Sequence, residues 1–480
     1  MKVHFVSLGC PKNRVDAEHM LGLTVAGGHT IVESPDDADA IVVNTCSFIG
    51  EAKRESIEAV LEMGAVKAKT GARLIMSGCM AQRYVGELEG EMPEVDAFLG
   101  TSDYMRIGDV LAPQKRSSAL LRVLPNDSDD DAEPAPRNLV TDALTFVAGC
   151  DMPRINSMPR YTAYLKIAEG CDNACAFCII PKLRGKQRAR TVDDLVQEAR
   201  KLAAEGVVEL NLIAQDLTGY GRDLAAPSGG HTLADLLRAL AEVDGIRWVR
   251  CMYAYPRTLS DGFLAALDDG KNTLPYLDIP TQHGSDRMLR RMRRGKDQKR
   301  LSELLRDVRA RVRHAVLRST VIVGFPGEDD DDFDKLLAFA DAVQFERLGV
   351  FKYSDEEGTD AYDLDGKLPY AVKRARFDKL MRRQRRIHEA KSRALLGTVH
   401  EAVVEGTSEE HELVVKGRLW SQAPEIDGLT YLSSNRSLSI GEIVHVVVTD
   451  VKDYDVVAEV LEHDDPRISL SAPFRARACA

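Results

Sequence analysis

Residues 171–178 read CDNACAFC and place three thiols, Cys171, Cys175 and Cys178, within eight positions. They directly follow the apolar run Tyr164–Ala168, which predicts a strand, so the thiols are expected in the loop at its carboxyl end. Zinc in a structural site needs a fourth close ligand, and no Cys or His follows at zinc-finger spacing. A [4Fe–4S] cluster with one iron left open fits three thiolates better, with zinc and inert thiols as the alternatives.

From residue 160 to about 395, apolar runs alternate with helical stretches, which predicts strands connected by helices in a parallel sheet. The next helix is clear, with Thr191 as its expected N-cap and an apolar face that includes Leu195, Ala199 and Leu202. The further candidate strands are Val207–Ile213, Trp248–Met252, Leu277–Ile279, Ser319–Val323 and Leu348–Phe351. Six such units predict a full or partial (β/α) barrel with its chemistry at the carboxyl ends of the strands.

Residues 1–112 show the same alternation, which predicts an open parallel α/β sheet. The candidate strands are Val3–Leu8, Ala40–Asn44 and Arg73–Ser77, and the helices include Val15–Thr24 and Glu51–Lys67. A cysteine lies just past each of these strands: Cys10, Cys46 and Cys79. Ligands gather at the carboxyl ends of strands in open α/β sheets, so the three thiols are expected to meet at one edge. One such cysteine alone would be an ordinary buried side chain.

The remaining segments differ from these two regions in composition. Residues 113–158 lose the alternation, and the acidic, proline-rich stretch 126–136 predicts a solvated linker. The barrel domain is then expected over 159–395, followed by a small all-β domain over 396–465 and a tail over 466–480. The β-domain is predicted as a five-stranded barrel from the runs Val399–Val404, Leu413–Val415, Ile443–Val448 and Val456–Leu461.

The chain has 480 residues, of which 44% are hydrophobic and 29% charged. This composition is typical of globular proteins and excludes long disorder, collagen and coiled coil as the main content. No apolar run approaches the roughly 18 residues that span a bilayer, and the N-terminus becomes polar too quickly for a secretory signal. We therefore expect no membrane contact and a reducing cytoplasm, where the nine cysteines include metal ligands rather than disulfides.

A CxxxCxxC motif after the first strand of a (β/α) barrel resembles the radical S-adenosylmethionine (SAM) enzymes. The resemblance implies that the open iron binds the amino and carboxyl groups of SAM, which is then split to a radical that takes hydrogen from a C–H bond. It also implies SAM contacts for Phe177, Gln215, Gln282 and Gly324. From the residues alone, Phe177 fits shielding of the cluster equally well, and the glutamines fit polar caps of strands.

The order of the domains resembles the methylthiotransferases, which combine an N-terminal three-cysteine domain, a radical SAM barrel and a C-terminal TRAM domain with an OB-like fold. This similarity covers nearly the whole chain and implies two [4Fe–4S] clusters, one on Cys10, Cys46 and Cys79 and one on Cys171, Cys175 and Cys178. One cluster would generate the radical, and the other would hold or relay the inserted sulfur while a second SAM supplies the methyl group. A reducing electron donor is implied as well. Three cysteines match no ligand position and are expected to be bystanders: Cys150, Cys251 and Cys479.

Two motifs favour the branch of this family that modifies a protein. Residues 7–18 read SLGCPKNRVDAE and resemble its signature SLGCPKNxVDSE, with Ala17 in place of the usual serine. Residues 183–185 read Leu-Arg-Gly, where the branch that modifies isopentenyladenosine in tRNA has Thr-Arg-Gly. The expected reaction adds a methylthio group to the β-carbon of an aspartate in ribosomal protein S-twelve, free or in the small subunit. The alternatives are a tRNA adenosine methylthiotransferase and a non-catalytic iron–sulfur or zinc module that binds RNA.

Charge is distributed unevenly along the chain. Residues 396–465 contain 15 acidic and four basic side chains, so their net charge of −11 equals that of the whole chain. A domain that grips tRNA is expected to be basic, whereas an acidic one favours a basic ribosomal protein, unless the charge only aids solubility. A basic run either contacts ribosomal RNA or forms a solvated face: Arg287, Arg290, Arg291, Arg293 and Arg294.

Overall fold

The computed structural model describes residues 1–112, 137–224, 231–269, 271–295, 297–408 and 414–470. The chain divides into two compact units. The N-terminal unit comprises Met1–Ser157 and Lys182–Gly185, and the second unit comprises Met158–Pro181 and Lys186–Ala480. Within the described ranges, no helix has both the length and the apolar character needed to cross a membrane.

The N-terminal unit is built on an open sheet of five parallel strands, which confirms the predicted fold class. Its elements are β1 (Lys2–Ser7), α1 (Pro11–Ala26), β2 (Thr30–Ile31), β3 (Ala40–Thr45), α2 (Gly50–Thr70), β4 (Arg73–Gly78), α3 (Cys79–Glu91), β5 (Ala97–Leu99) and α4 (Ile107–Leu111). The strand order is β2-β1-β3-β4-β5, and all neighbours run parallel.

The central strand β3 explains why the sheet needs helices on both faces. Its sequence AIVVNT is buried at every position. Ile41 and Val43 pack with Val60 of α2, whereas Ala40 and Val42 lie in a separate apolar cluster that also holds residues of α1 and α4. A strand buried on both faces reads as a continuous apolar run, which is how this one appears in the sequence.

The segment 137–157, which the sequence places in a linker, belongs to the N-terminal unit. Arg137 donates to three backbone carbonyl groups at and beyond the end of α3, at 2.6–2.8 Å. Arg154 forms a buried ion pair with Glu18 of α1 at 2.6 Å. These contacts hold a stretch without regular structure on the unit. The other part of the predicted linker, 113–136, lies outside the described residues.

The second unit contains the predicted partial (β/α) barrel. Its elements are β6 (Thr162–Lys166), β7 (Ala168–Glu169), α5 (Ile180–Arg184), β8 (Arg188–Ala189), α6 (Val192–Ala204), β9 (Glu209–Ile213), α7 (Leu233–Leu240), β10 (Trp248–Cys251), α8 (Asp261–Asp268), β11 (Thr273–Asp278), α9 (Asp286–Arg291), α10 (Gln298–Arg311), β12 (Val316–Val323), α11 (Asp330–Val343), β13 (Arg347–Lys352) and α12 (Tyr370–Arg393). Six strands form a parallel sheet in the order β13-β12-β11-β10-β9-β6. The sheet is open between β13 and β6.

Local signals fix the start of α6 and the end of the first barrel strand. The Thr191 side chain accepts a hydrogen bond from the Asp194 backbone N–H, so the predicted N-cap is confirmed. The first strand ends earlier than the apolar run predicts, because Ala168 and Glu169 pair antiparallel with Arg188–Ala189 instead. This small ribbon leads directly into the loop that carries Cys171.

The C-terminal part of the second unit is a closed five-stranded barrel, as predicted. Its strands are β14 (Val399–Thr407), β15 (Val415–Leu419), β16 (Thr430–Ser433), β17 (Ile443–Lys452) and β18 (Asp455–Val460). They follow one another around the barrel in the order β14-β15-β16-β18-β17. The strand β16 left no apolar run in the sequence because it has four residues, of which two are buried.

Carboxylates of the C-terminal barrel attach it to the sheet of the partial barrel. Trp248 Nε1 donates to Glu401, Tyr276 Oη donates to Asp427, and Tyr164 Oη donates to Glu425, at 2.8–3.1 Å. Arg418 of β15 also binds Glu209, the first residue of β9. Several of the fifteen acidic side chains therefore act inside the unit. The acidic charge of residues 396–465 is thus partly used inside the unit, because donors buried at this interface require acceptors.

Candidate functional site

Three neighbouring strands of the N-terminal unit bring three cysteines to one edge of the sheet. The strands β1, β3 and β4 are adjacent, and their ends are in register: Ser7 pairs with Asn44, which pairs with Ser77. Cys46 and Cys79 directly follow β3 and β4, and Cys10 lies just past β1. Cys10 is also the N-cap of α1, and Cys79 is the first residue of α3.

Two glycines allow the three loops to approach one another. Gly9 has φ of 90°, and a Cβ placed there would lie 2.8 Å from Cys46 Cβ and 3.1 Å from its sulfur. Gly78 has φ of 94°, and its Cβ would lie 2.4 Å from Asn44 Oδ1. Both positions therefore need glycine for the backbone conformation and for space.

Asn13 connects the cysteine loops that follow β1 and β3. Its side-chain amide donates to the carbonyl oxygens of Leu8 and Thr45, each at 2.9 Å. Its backbone carbonyl oxygen accepts from the Asn44 side-chain amide at 2.7 Å. Asn13 is fully buried, so these bonds do not compete with water. The side chain holds the loops after β1 and β3 at a fixed separation. We call Cys10, Cys46 and Cys79 the first cysteine group.

Arg184 places a positive charge beside the first cysteine group. It lies at the end of α5, in the short segment that packs with the N-terminal unit. Its Nη2 atom lies 3.6 Å from Cys79 Sγ, 2.8 Å from Asn13 Oδ1 and 2.9 Å from Asp16 Oδ2. Burial raises the pKa of the Cys46 thiol to about 12 and also raises the pKa of Cys79, where Arg184 opposes the rise. Without a bound metal, these thiols are therefore protonated at neutral pH.

The second cysteine group, Cys171, Cys175 and Cys178, lies in the loop between β7 and α5 of the second unit. Asn173 donates from its side-chain amide to Cys171 Sγ at 3.3 Å and to Asp216 Oδ2 at 2.7 Å. The Asp216 side chain caps the turn after β9 by accepting from the Gly219 backbone N–H. Burial raises the pKa of the Cys178 thiol to about 12. These contacts attach the cysteine loop to the carboxyl end of β9.

A buried arginine also contacts the second cysteine group. Arg294 Nη1 lies 3.2 Å from Cys175 Sγ, and its Nη2 donates to the Pro280 carbonyl oxygen at 2.7 Å. Its guanidinium carbon lies 4.1 Å from the centroid of the Tyr255 ring. Arg294 thereby connects the cysteine loop to the residues that follow β10 and β11.

The two glutamines expected at SAM both lie just after barrel strands. Gln215 donates from its amide nitrogen to Glu169, which also accepts from Lys166 at 2.7 Å. Gln282 adopts φ of 70°, an uncommon conformation for a residue with a Cβ, and bridges to β12. Among the described residues, the buried Oε1 atoms of both glutamines have no hydrogen-bond partner. Buried acceptors without donors fit a ligand that supplies the donors.

Gly324 and Phe177 occupy different surroundings. Gly324 has φ of 74°, and a Cβ there would lie 2.4 Å from the Lys373 side chain, which covers it. Its N–H donates to Glu328, a fully buried carboxylate paired with Arg376 at 2.7 Å. Phe177 is half-buried and packs on the apolar cluster that contains Phe325. The relation of both residues to SAM stays a prediction.

The two cysteine groups differ from a site for a single metal ion. Among the described residues, no group of three His, Cys, Asp or Glu side chains is placed to hold one metal ion. A [4Fe–4S] cluster binds each thiolate through a different iron, so its ligands lie farther apart than those of zinc. Whether these thiols hold clusters or zinc stays a prediction.

The remaining cysteines belong to neither group. Cys251 is buried in the apolar core of the partial barrel. Cys150 is buried in the N-terminal unit, with its Sγ 3.7 Å from Asp151 Oδ1. Cys479 lies outside the described residues. Their assignment as bystanders stays a prediction.

The basic run after β11 is engaged within the second unit. Arg287 pairs with Asp332, Arg291 with Asp365 and Arg293 with Asp360. Arg294 faces Cys175, as described above. Three of its charges are therefore matched by carboxylates of the same unit, and the contact with ribosomal RNA stays a prediction.

Sequence reasoning did not single out the side chains that contact the sulfur atoms. Asn13 and Arg184 lie inside the two motifs that indicate the family branch, and Arg294 lies in the basic run. A motif marks such residues as a block but does not show which of them faces a thiol. Asn173 lies between Cys171 and Cys175, so its amide is a hydrogen-bond donor that the sequence already places beside the thiols.

Comparisons with known proteins agree with this architecture. Residues 2–100 match the uncharacterized protein family UPF0004, residues 165–340 the radical SAM superfamily and residues 396–461 the TRAM domain. A solved radical SAM methyltransferase, TsrM from Kitasatospora setae with cobalamin and a [4Fe–4S] cluster bound, superposes with a TM-score of 0.53 at 13% identity. The match covers 75% of this chain and 77% of that one, and it supports the fold alone.

Curated relatives match along nearly the whole chain. Ribosomal protein uS12 methylthiotransferase RimO of Myxococcus xanthus is 49% identical over 467 residues, which cover 97% of this chain and 93% of that protein. RimO of an Anaeromyxobacter species, strain K, is 48% identical over 478 residues, or 99% of this chain and 97% of that protein. RimO of Geotalea uraniireducens is 46% identical over 96% of this chain and 98% of its own length.

Proposed function

Because this chain belongs to the RimO family of ribosomal protein uS12 methylthiotransferases, we propose that it adds a methylthio group to the β-carbon of an aspartate in uS12. Relatives of that name are 46–49% identical across nearly the full length of both proteins. The SLGCPKNRVDAE motif at residues 7–18 supports a protein substrate over tRNA. Whether uS12 is free or already in the small subunit is left to experiment.

Each cysteine group would hold one [4Fe–4S] cluster through three thiolates. When bound, the cluster of the second group supplies the electron that cleaves SAM to a radical able to take hydrogen from a C–H bond. Asn173 and Arg294 orient the Cys171 and Cys175 sulfurs for that cluster. Gln215 and Gln282 offer buried acceptors for amino or hydroxyl donors of SAM.

The first cysteine group provides the site for the sulfur that is inserted. Cys10, Cys46 and Cys79 would hold the cluster of this group, which would supply an iron able to bind the sulfur, while a second SAM would supply the methyl group. Thiolate ligation requires reduced cysteines and an external reductant, which favours a reducing cytosol. The observation that carries the proposal is the delivery of three cysteines by three adjacent strands to one sheet edge.

Iron analysis tests the two clusters. After anaerobic reconstitution, the chain should bind about eight irons, about four for each cluster. Replacing either cysteine group with alanines should leave about four. A loss of all SAM cleavage in Cys171→Ala with retention of about four irons would assign radical generation to the second group. Unchanged cleavage in this variant would contradict the enzyme assignment.

Mass spectrometry of cells that lack this chain tests the substrate. The uS12 aspartate should lose its methylthio group and regain it on complementation, while tRNA adenosines are unchanged. Loss of a methylthio group from a tRNA adenosine with intact uS12 would establish the tRNA alternative instead. No change in either substrate would favour a non-catalytic module.

A further inference from the structure

Arg184 is a buried cation at the first cysteine group, and the steps above give it no role. Its side chain is 1% exposed and that of Asp16 is 4% exposed. The guanidinium is shared between Asp16 Oδ2 at 2.9 Å, Asn13 Oδ1 at 2.8 Å and Cys79 Sγ at 3.6 Å. A charge so fully removed from water persists only with compensating partners.

The segment that carries Arg184 is firmly held in the N-terminal unit. Thr101 Oγ1 donates to the Leu183 carbonyl oxygen at 2.6 Å, and the Thr101 N–H donates to Gln82 Oε1 at 3.0 Å. Leu183 is buried. The position of the guanidinium is therefore set by backbone and packing contacts as well as by the cysteine group, so Arg184 is pre-organised.

Charge balance indicates what the arginine does when the group is loaded. A cluster in the 2+ state bound by three thiolates carries a net charge of −1, and its reduced form carries −2. The Asp16–Arg184 pair is neutral overall, but its positive end is the one directed at the Cys79 sulfur. A cationic hydrogen-bond donor at a ligating sulfur stabilises the reduced, more negative state.

We propose that Arg184 is a positioning residue that retains the N-terminal cluster and raises its reduction potential by hydrogen bonding to Cys79 Sγ, with Asp16 limiting that effect. This inference rests on the proposed function, since it requires a cluster on Cys10, Cys46 and Cys79. The second group has an analogous contact, Arg294 to Cys175 at 3.2 Å.

The test uses the full chain with Cys171, Cys175 and Cys178 changed to alanine, so that only the first cluster forms. Iron content, the rate of iron loss to a ferrous chelator and the midpoint potential by EPR are measured after anaerobic reconstitution. Arg184→Met should lose iron about tenfold faster and shift the midpoint to more negative potential. Asp16→Asn should shift the midpoint to more positive potential, because it removes the carboxylate that shares the guanidinium.

Two further variants separate electrostatics from packing. Arg184→Lys keeps the charge, so its midpoint potential should lie closer to that of the parent chain than to that of Arg184→Met. Arg137→Met removes a structural arginine of the same unit that donates to backbone carbonyls, and it should leave the midpoint unchanged.

The inference is overturned if Arg184→Met and Asp16→Asn leave the midpoint unchanged or shift it in the same direction. It is equally overturned if Arg137→Met shifts the midpoint as far as Arg184→Met. A parent chain that binds no iron at the first group would instead refute the two-cluster proposal itself, and the inference with it.

Discussion

Gly9 contacts Cys46 so closely that a methyl group cannot be accommodated. Gly9→Ala should therefore displace the first cysteine group and lose most of its iron, measured in the chain whose second group is alanine. The matched control is Gly28→Ala, because Gly28 has a similar φ of 79° but nothing within 4 Å of its Cβ position. Both variants carry a backbone cost of about 1–2 kcal/mol. Equal iron in the two variants would show that the contact with Cys46 is unimportant.

Gln282 combines an uncommon backbone conformation with a buried acceptor that lacks a protein donor. Gln282→Leu should weaken SAM binding roughly three- to tenfold, as expected for the loss of one hydrogen bond, while iron content stays constant. Equilibrium binding of SAM to the reconstituted protein measures the effect. Gln384→Leu is the control, since Gln384 is also buried with an unpaired Oε1 but lies on α12 and donates to the Phe345 carbonyl oxygen. A tighter or unchanged SAM affinity in Gln282→Leu would remove this residue from the site.

At the scale of elements, Arg418 attaches β15 to the start of β9. Burial by itself would raise the pKa of the Glu209 carboxyl, but Arg418 and Arg250 hold it at about 2. Arg418→Met removes one of the two arginines that neutralise the buried Glu209 carboxylate. The free energy of unfolding of the second unit should therefore fall by about 3–5 kcal/mol. Arg436→Met, which breaks an exposed pair with Glu442 in the same barrel, should cost at most about 1 kcal/mol. Urea denaturation of the two variants measures the difference, and equal losses would contradict the buried role.

The helix α12 and the strand β14 each carry a buried neutral histidine. Burial lowers the pKa of His388 and of His400 to about 4, and Arg347 adds to the effect at His388. In the unfolded chain both imidazoles become protonated near pH 6.5. The stability that their neutral, buried forms contribute is therefore complete above about pH 6.5 and is lost as the pH falls toward 4. Thermal unfolding at pH 7 and pH 5 should show this loss. His388→Gln should reduce the pH dependence, and an unchanged dependence would assign it to other groups.

At the scale of the whole molecule, the acidic charge of the C-terminal barrel divides into a buried and an exposed part. Glu401, Glu405 and Asp427 bind within the second unit, with Glu405 paired to Arg418 at 2.7 Å. Asp450, Glu459, Glu462 and Asp464 are exposed, and so are Glu425 and Asp453, which bind Tyr164 and Arg385. Within the part of the chain that the structure describes, the exposed groups are the ones available to attract a basic partner.

Changing Asp450, Glu459, Glu462 and Asp464 to lysine should therefore weaken binding of purified uS12, most strongly at low salt. The control changes four exposed glutamates of α2 to lysine and has the same net charge: Glu51, Glu55, Glu58 and Glu62. Titration of uS12 at two salt concentrations distinguishes the variants. An equal effect of both sets would show that net charge alone matters and would refute a specific acidic face.

The fold and the positions of the six cysteines were predictable because they depend on local patterns. Apolar runs gave β3 and most barrel strands, and cysteines just past three runs indicated one sheet edge. The Thr191 cap was equally local. Short elements with little buried surface, such as β16 and the ribbon of β7 and β8, left no such pattern because their pairing depends on distant strands.

The sequence by itself determined the fold class, the family and which residue types could bind iron, because periodicity, spacing and motifs are properties of neighbouring residues. Only the tertiary structure decided which charges are free and which side chains contact sulfur. Arg184 is distant in sequence from Cys79, and Arg418 from Glu209, yet each pair is in contact. The physical reason is that burial and ion pairing are set by long-range packing, so a charge that looks solvated in the sequence becomes a structural contact once the chain is folded.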